Sequence, residues 1–187
     1  MTHRRAARQP AAVLSRLNDY FDRMVEAITS HGGTVDKFVG DALVAVFGGA
    51  TALTNPAEAA LDAAIAMRAK LRQLNHERLQ AGLAPIDNGI GVTFGEVLYG
   101  PVGSLDHKQP TVLGDVVNAA LQLEATTVDL RLPILASASV ADALPPARRD
   151  AVRSLGEVVV KGRRHPMLVY AANLDEDTDP GAEPHRR

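Results

Sequence analysis

Apolar side chains in the first part of the chain recur at steps of three and four residues, the spacing of one helical face. This stripe consists of Val13, Leu14, Leu17, Phe21, Met24, Val25 and Ile28. It predicts a helix that begins near Ala11, packs one face on a core and ends at Gly32-Gly33. A second helix is predicted from Asn55 to about Asn75, because its apolar residues lie near one face and Pro56 suits the first turn.

Short apolar runs between turn residues predict the strands. The stretch from Thr34 to Phe47, divided by Gly40-Asp41, is typical of a β-hairpin with a tight turn. The stretch from Ile86 to Leu98 alternates weakly around three glycines and predicts a strand, a turn and a second strand. The remaining predicted elements are a polar loop or arm (100–110), a short strand (111–113), a helix starting at Asp115, a strand (132–136), a short helix (139–144) and a last hairpin (158–161 with 167–171).

Helices mixed with antiparallel hairpins in this order predict an α+β domain, a mostly antiparallel sheet with helices on one face. A chain of 187 residues has the size of one ordinary domain, which we expect to span residues 10–173. Residues 1–9 are predicted to be a disordered N-terminal remnant. Residues 174–187 are predicted to be a disordered tail, because they are polar, rich in turn-forming residues and without apolar periodicity.

The composition narrows the classes of function. The formal charge of −2 gives no general attraction to nucleic acid or anionic lipid, so we expect neither as a partner. The chain has no cysteine, which excludes disulfides, thiolate metal sites and a cysteine nucleophile. No apolar run has the length of a membrane span, and the first ten residues lack the apolar core of a signal peptide. We therefore expect a cytoplasmic protein.

A few polar residues stand where they could carry chemistry. Asp41 lies at the hairpin tip between two apolar strands, which is rigid support for a carboxylate that holds Mg²⁺ beside a phosphate, although Gly-Asp is also a common turn dipeptide. Lys37 could donate to a ligand, and Lys161 precedes two arginines at a strand end suited to a triphosphate. Asn118 and Gln122 share a helical face. Taken alone, each of these residues is also typical of a solvated surface position. The six histidines have no paired helical spacing, which disfavours a histidine metal site.

Four stretches in the same order resemble the class III adenylate/guanylate cyclase catalytic domain. They are HGGTVDKFVGDALVAVFG, GIGVTFGEVLYGPVGS, TVLGDVVNAALQLEA and VVVKG, and the resemblance covers about Pro10 to Ala172. It implies a ferredoxin-like α+β fold and a head-to-tail dimer. The active sites of such a dimer lie between the subunits and take residues from both, so the implied partner is a second cyclase domain.

The resemblance also implies roles for individual residues. Asp41 matches one of two metal-binding aspartates, and Lys37 matches the lysine that reads the purine. Thr111 falls at the second purine-reading position, where threonine is one of the adenine-type choices, so the implied substrate is ATP. Asn118 matches the residue that orients the ribose, and Lys161 the lysine that holds the terminal phosphates. The implied reaction is attack of the ribose 3′-oxygen on the α-phosphorus with two Mg²⁺ or Mn²⁺ ions, which yields cyclic AMP and pyrophosphate.

Two features depart from the family pattern. The family's apolar first strand, with its second metal-binding aspartate and a Phe-Thr pair, has no counterpart before the first helix, so the sequence predicts an N-terminally truncated domain. Asp19 and Asp22 cannot replace that aspartate, because they belong to the helix. The family's transition-state arginine falls at Gln122, which is neutral. Loss of one charged transition-state contact commonly costs about 10²–10³ in rate, so we expect impaired activity.

Three functions remain open at this point. The chain is an adenylate cyclase, or a catalytically degenerate module that binds a nucleotide or a partner without turnover. The third is half of a heterodimeric cyclase, in which another domain contributes both aspartates to a composite site.

Overall fold

The computed structural model describes residues 10–49, 51–104, 108–163 and 165–172. Residues 1–9 and 174–187, which the sequence predicted to be disordered, lie outside the described residues, and the predicted domain limits stay a prediction. The helices are α1 (Pro10–Ser30), α2 (Pro56–Gln80), α3 (Asp115–Leu130), α4 (Ala138–Ala143) and a 3-10 helix (Pro146–Ala151). The strands are β1 (Gly33–Val39), β2 (Ala42–Phe47), β3 (Ile90–Val92), β4 (Leu98–Gly103), β5 (Lys108–Leu113), β6 (Ile134–Ser137), β7 (Val152–Val158) and β8 (Met167–Ala172). The α+β class is confirmed.

Helices α1 and α2 pack on each other through the predicted apolar stripes. Their shared core consists of Met24, Ala27, Ile28, Met67, Leu71 and Leu74. The side chain of Asn55 caps α2, because its Oδ1 accepts a hydrogen bond of 3.0 Å from the backbone N–H of Glu58. The helix continues past its predicted end at Asn75, where Arg23 Nη2 of α1 donates to Glu77 Oε2 at 2.6 Å. In the described ranges, no helix combines the length and the apolar character that crossing a membrane requires.

Four strands form the main sheet in the order β3-β6-β8-β7, with β3 parallel to β6 and the other pairs antiparallel. The sequence predicted helices on one face, but both faces of β6 are covered. Ile134 and Ala136 pack with α2 and α4, whereas Leu135 packs with Leu123 of α3. The physical reason is the uninterrupted apolar run of β6, whose residues are buried on alternating sides.

Several predicted strand limits differ from the structure, most clearly in the segment 100–110 and in the last hairpin. Of the segment predicted as a polar loop or arm (100–110), residues 100–103 instead belong to β4 and residues 108–110 to β5, and the two strands pair antiparallel. The first strand of the last hairpin was predicted over Val158–Lys161, but it is β7, which ends at Val158. Most of β7 was not predicted as a strand, because its polar residues and glycine interrupt any apolar pattern. This shift leaves Lys161 in the turn that follows the strand.

The strands do not form one sheet, because β2 and β3 are not paired with each other. Strand β2 pairs only with β1, and β3 only with β6, among the strands that the structure describes. Helix α2 contacts both β2 and β3 and so spans the space between their free edges. A cleft of ≈ 2140 Å³ opens there, lined by apolar side chains of both strands and by Asp41. One further strand in this space would join the hairpin and the main sheet.

Strand β3 approaches α3 so closely that side chains are excluded at two positions. A Cβ atom at Gly91 would overlap the carbonyl oxygen of Ala120 and stand 2.7 Å from the backbone nitrogen of Glu124. A Cβ atom at Gly89 would overlap Oγ1 of Thr127. The glycines that weaken the strand pattern in the sequence therefore form the surface on which α3 lies.

We predict that Gly91→Ala lowers the free energy of unfolding by about 1–3 kcal/mol, because the added methyl group meets helix backbone that cannot rotate away. Urea unfolding followed by circular dichroism measures the change. Gly100→Ala is the matched control, since nothing lies within 4 Å of a Cβ atom there and its φ is not in the left-handed region. Equal stability of the two variants would contradict the close approach.

Candidate active site

Asp41 lies in the two-residue turn of the β1–β2 hairpin, where Val39 pairs with Ala42. Gly40 has a φ of 65°, the left-handed conformation that the first central position of a primed hairpin turn requires. The carboxylate of Asp41 is exposed at this tip and lines the cleft between β2 and β3. The apolar strands on both sides hold the tip in place.

Lys37 lies on β1 and pairs with its sequence neighbour. Its Nζ is 3.2 Å from Oδ2 of Asp36, whose side chain is 2% exposed. Consecutive side chains point to opposite faces of a regular strand, but the register of β1 shifts between Val35 and Lys37. This irregularity allows the two side chains to approach. Lys37 is therefore held by a buried carboxylate and remains half-exposed to a ligand.

Thr111 lies on β5, half-buried and opposite Gly100 of β4. Strand β5 is in contact with β1. The structure thus places the strand that carries Thr111 beside the strand that carries Lys37.

Asn118 and Gln122 lie one turn apart on α3, with Asn118 exposed and Gln122 half-buried. Helix α3 begins at Asp115, directly after β5. The carboxylate of Asp115 in the first turn interacts favourably with the positive end of the helix dipole. The adjacent buried face of α3, with Ala119 and Leu123, fixes the direction of these amides.

Lys161 lies in a tight turn beside α3. The backbone N–H of Arg163 donates to the carbonyl of Val160 at 3.0 Å, and Gly162 has a φ of 87°, as the third position of a type II turn requires. Val160 is fully buried and anchors the turn to the core. Lys161 and Arg163 are exposed at its surface.

A direct hydrogen bond connects this turn with α3. Arg163 Nε donates to Oε1 of Gln122 at 2.8 Å. The turn passes close over the same side chain, because a Cβ atom at Gly162 would stand 3.4 Å from Gln122 Nε2. The structure therefore brings the turn that carries Lys161 to the helix that carries Asn118.

The predicted site residues fall into two groups in one chain. The first group lies at α3 and consists of Asn118, Gln122 and the turn of Lys161. The second group consists of Lys37 and Thr111 on two neighbouring strands. Asp41 belongs to neither group. Asp41 is apart from the others in its surroundings: of the six predicted residues, all within the described ranges, it alone lines the cleft.

Asp41 suits a divalent metal ion as one ligand of an incomplete set. Within the described ranges, no group of three His, Cys, Asp or Glu side chains is placed to hold a metal. Mg²⁺ is commonly bound through one or two carboxylates together with water and substrate phosphates. An exposed carboxylate on a rigid turn fits that partial role, and the nucleotide or a second chain would supply the remaining oxygens.

Glu124 is a carboxylate in the cleft that the sequence analysis did not single out. It lies on α3 and lines the same cleft as Asp41. Burial raises the pKa of Glu124, and the negative charge of Asp41 raises it further. The negative charge of Asp41 therefore disfavours the ionised form of Glu124, a repulsion that a bound cation would relieve.

The sequence gives little indication of a role for three further polar residues of this region, Glu124, Asp36 and Arg163. Glu124 lies in the cleft only because of the way α3 is docked on the strands. The burial of Asp36 depends on an irregularity of β1 that no residue pattern marks. Arg163 was visible as part of a cationic cluster after Lys161. Its contact with Gln122 required the turn geometry.

The family model of the adenylate and guanylate cyclase catalytic domain matches residues 2–173. The chain belongs to this family. The predicted class III cyclase identity is thereby confirmed, and so is the ferredoxin-like cyclase fold, which solved cyclase structures share.

Similar proteins include cyclases of both nucleotide types. Adenylate cyclase 1 of Rhizobium meliloti (strain 1021) is 33% identical over 165 residues, which cover 87% of this chain and 24% of the relative. Adenylate cyclase of Anabaena cylindrica is 35% identical over 169 residues, 88% of this chain and 33% of the relative. The crystal structure of the guanylyl cyclase Cya2 has a TM-score of 0.76 at 32% identity and covers 90% of this chain and 84% of that one. The cyclase domain thus spans a quarter to a third of the length of these curated relatives.

We predict that Glu124→Gln stabilises the domain in a pH-dependent way. The folded-state pKa of Glu124 lies above its unfolded value, so ionising this carboxyl group costs free energy in the folded protein. Below about pH 4.3 the group is protonated in both states, and the wild type has its full stability relative to the variant. As pH rises through the folded-state pKa, the wild type loses that stability. The melting temperature of the variant should therefore exceed that of the wild type at pH 7 and approach it at pH 4.

Thermal unfolding between pH 4 and pH 8 measures this difference. In an Asp41→Asn background the rise with pH should be smaller, since the charge of Asp41 is the second cause of the shift. A melting-temperature difference that does not change with pH would show that Glu124 ionises normally.

Proposed function

We propose that this cyclase domain converts ATP to cyclic AMP and pyrophosphate in a site shared with a second cyclase domain. The observation that carries the proposal is the contact between α3 and the cationic turn after β7. Through the hydrogen bond from Arg163 to Gln122, the turn that carries Lys161 lies against the helix that carries Asn118. An amide for the ribose and a cation for the phosphates therefore stand on adjoining, rigid parts of one chain.

In the reaction, the ribose 3′-oxygen bonds to the α-phosphorus while the bond from that phosphorus to the bridging oxygen of pyrophosphate breaks. The proton of the 3′-hydroxyl leaves to solvent. Asn118 orients the ribose so that its 3′-oxygen faces the phosphorus. Holding the two reacting atoms in this geometry lowers the barrier of the reaction. Lys161 neutralises charge on the terminal phosphates as they depart. A Mg²⁺ or Mn²⁺ ion held by Asp41 supplies, when bound, positive charge that favours the ionised 3′-oxygen and the departing pyrophosphate.

The proposed preference for ATP rests on Lys37 and Thr111. A lysine donates to the ring nitrogens and has no acceptor, and a threonine hydroxyl can accept from an amino group such as the one that adenine carries. The ion pair with Asp36 orients the lysine, and the contact between β1 and β5 brings the two strands together. The relatives include both adenylate and guanylyl cyclases, so this choice depends on the residues of this chain.

A second cyclase domain is proposed as the partner, in a homodimer or a heterodimer. The β4–β5 hairpin and the start of α3 expose several large apolar side chains, namely Leu98, Tyr99, Val102, Leu113 and Leu121. Exposed apolar surface next to site residues is typical of a protein interface. An interface on this arm would place another domain over Thr111 and Asn118.

A domain that binds nucleotide without turnover is the second candidate. The neutral Gln122 in the arginine position and the incomplete metal ligand set favour it. The same purified chain discriminates the two functions, since a degenerate module binds ATP but forms no cyclic AMP. A heterodimeric cyclase would form cyclic AMP only after a second domain is added.

We predict that Asp41→Ala reduces cyclic AMP formation about 10²–10³-fold, because the change removes the one carboxylate at the hairpin tip that can hold the metal ion. The measurement is cyclic AMP released from ATP with Mg²⁺ or Mn²⁺. Asp129→Ala, at an exposed carboxylate near the end of α3, is the matched control and should retain activity. Equal turnover by wild type and Asp41→Ala would remove Asp41 from the mechanism.

We also predict that loss of the Lys37 cation weakens ATP binding at least about tenfold, the effect of one charged hydrogen bond. Since Lys37→Met alone would leave the buried Asp36 without its partner, the comparison is between Asp36→Asn/Lys37→Met and Asp36→Asn. Calorimetric titration with ATP and with tripolyphosphate measures both affinities. Tripolyphosphate binding should not change, because it has no purine. Unchanged ATP affinity would count against purine reading by Lys37.

A further inference from the structure

We propose that Arg163 binds the phosphates of the nucleotide and supplies the guanidinium charge that position 122 lacks, with Gln122 as the residue that positions it. This inference rests on the proposed nucleotide site and assigns it a further residue. It also changes the interpretation of Gln122, which the family pattern by itself marks as a defect.

The orientation of Arg163 is fixed at two points. Its backbone N–H closes the turn on Val160, which is fully buried, so the start of the side chain is anchored to the core. Its Nε donates to Oε1 of Gln122 at 2.8 Å. A guanidinium has five N–H donors in a rigid planar fork, and this bond uses only one of them. Both terminal NH₂ groups make no hydrogen bond with the residues that the structure describes, and they remain for a ligand.

The described part of the chain leaves the charge of Arg163 without a neutralising partner. The side chain is exposed, and no carboxylate pairs with it among the residues that the structure describes. Where an arginine serves only to stabilise the fold, its partner is commonly an acidic group. Here the partner is a neutral amide, which orients the guanidinium without lowering its net charge. Such a guanidinium is prepared to meet an anion.

The location of Arg163 matches the place where phosphate charge would stand. Gln122 lies one helical turn from Asn118, so the guanidinium is held one turn from the amide proposed to orient the ribose. Lys161 belongs to the same four-residue turn. The φ of 87° at Gly162 and its closeness to Gln122 keep this turn against α3. Two cations therefore flank the helix face that bears Asn118.

Arg163 takes part in no covalent step. It keeps its proton throughout and acts on the negative charge that moves onto the pyrophosphate oxygens as the phosphorus–oxygen bond breaks. A lysine at position 163 would keep the charge but lose the hydrogen bond from Nε, because its single ammonium group cannot contact Gln122 and a phosphate with the same fork geometry.

The test uses the full chain with Mn²⁺ or Mg²⁺ and compares Arg163→Ala, Arg163→Lys, Gln122→Ala and the double variant Gln122→Ala/Arg163→Ala. Arg153→Ala is the control, because Arg153 is an exposed arginine near the opposite end of β7. Two quantities are measured: the single-turnover rate of cyclic AMP formation from ATP, and the affinity for 3′-deoxy-ATP, which cannot cyclise because it lacks the 3′-hydroxyl.

We expect Arg163→Ala to lower the rate about 100-fold and the control to lower it less than twofold. Gln122→Ala should lower the rate by less than Arg163→Ala, and the double variant should match Arg163→Ala, because Gln122 acts through the arginine. Gln122→Arg in the Arg163→Ala background should recover most of the lost rate by returning a guanidinium to the same place. A rate for Arg163→Ala within twofold of the wild type would overturn the proposal, as would additive losses in the double variant.

The affinity measurement separates this inference from the proposed activity. A wild-type chain without turnover would refute the cyclase activity of the chain alone. The role of Arg163 would then be decided by 3′-deoxy-ATP, whose affinity should fall at least about tenfold in Arg163→Ala and stay unchanged in Arg153→Ala. Equal affinities of Arg163→Ala and the wild type in that case would overturn the phosphate contact as well.

Discussion

The absence of side chains where β3 meets α3 is the constraint on which the rest of this domain depends. Because Gly89 and Gly91 have no Cβ atom, α3 lies directly against the strand, with Ala120 and Thr127 at the contact. This close contact fixes the distance between α3 and the sheet. The exposed face of α3 then meets the turn after β7 at hydrogen-bonding distance, so the arrangement at the site follows from a contact on the helix's other side.

The open space between β2 and β3 is the other feature that organises the molecule. Helix α2 supports both strands, yet within the described ranges neither strand pairs across the cleft. Unpaired backbone groups along two facing edges are costly when buried and attract further strands when exposed. The carboxylates of Asp41 and Glu124 line this same space, so apolar surface and negative charge are combined in one cleft.

The polar contacts of the site differ in what they do to the charges that they hold. Asp36 pairs with Lys37 and balances its charge, and the pair is maintained by the irregular register of β1. Gln122 orients Arg163 but leaves the guanidinium charge intact. A cation that is oriented without being neutralised is suited to bind an anion, whereas a balanced pair is suited to present a donor in a fixed direction. In the proposed function, the oriented cation Arg163 meets the phosphates and the balanced pair of Asp36 and Lys37 meets the purine.

The sequence by itself determined the presence of the four α-helices, the hairpin at Gly40-Asp41, the α+β class and the family, because these follow from local periodicity and from motifs whose order is read directly along the chain. The end of α2 and the 3-10 helix were not determined in this way. Nor did the sequence determine the limits of β5 and β7 or the covering of both faces of β6, which depend on pairing with distant strands. Only the tertiary structure decided that Arg163 meets Gln122 and that Glu124 and Asp41 share a cleft. Contacts between residues far apart in the chain depend on how helices and strands dock, and a docking distance set by the missing atoms of a glycine leaves no periodic trace in the sequence.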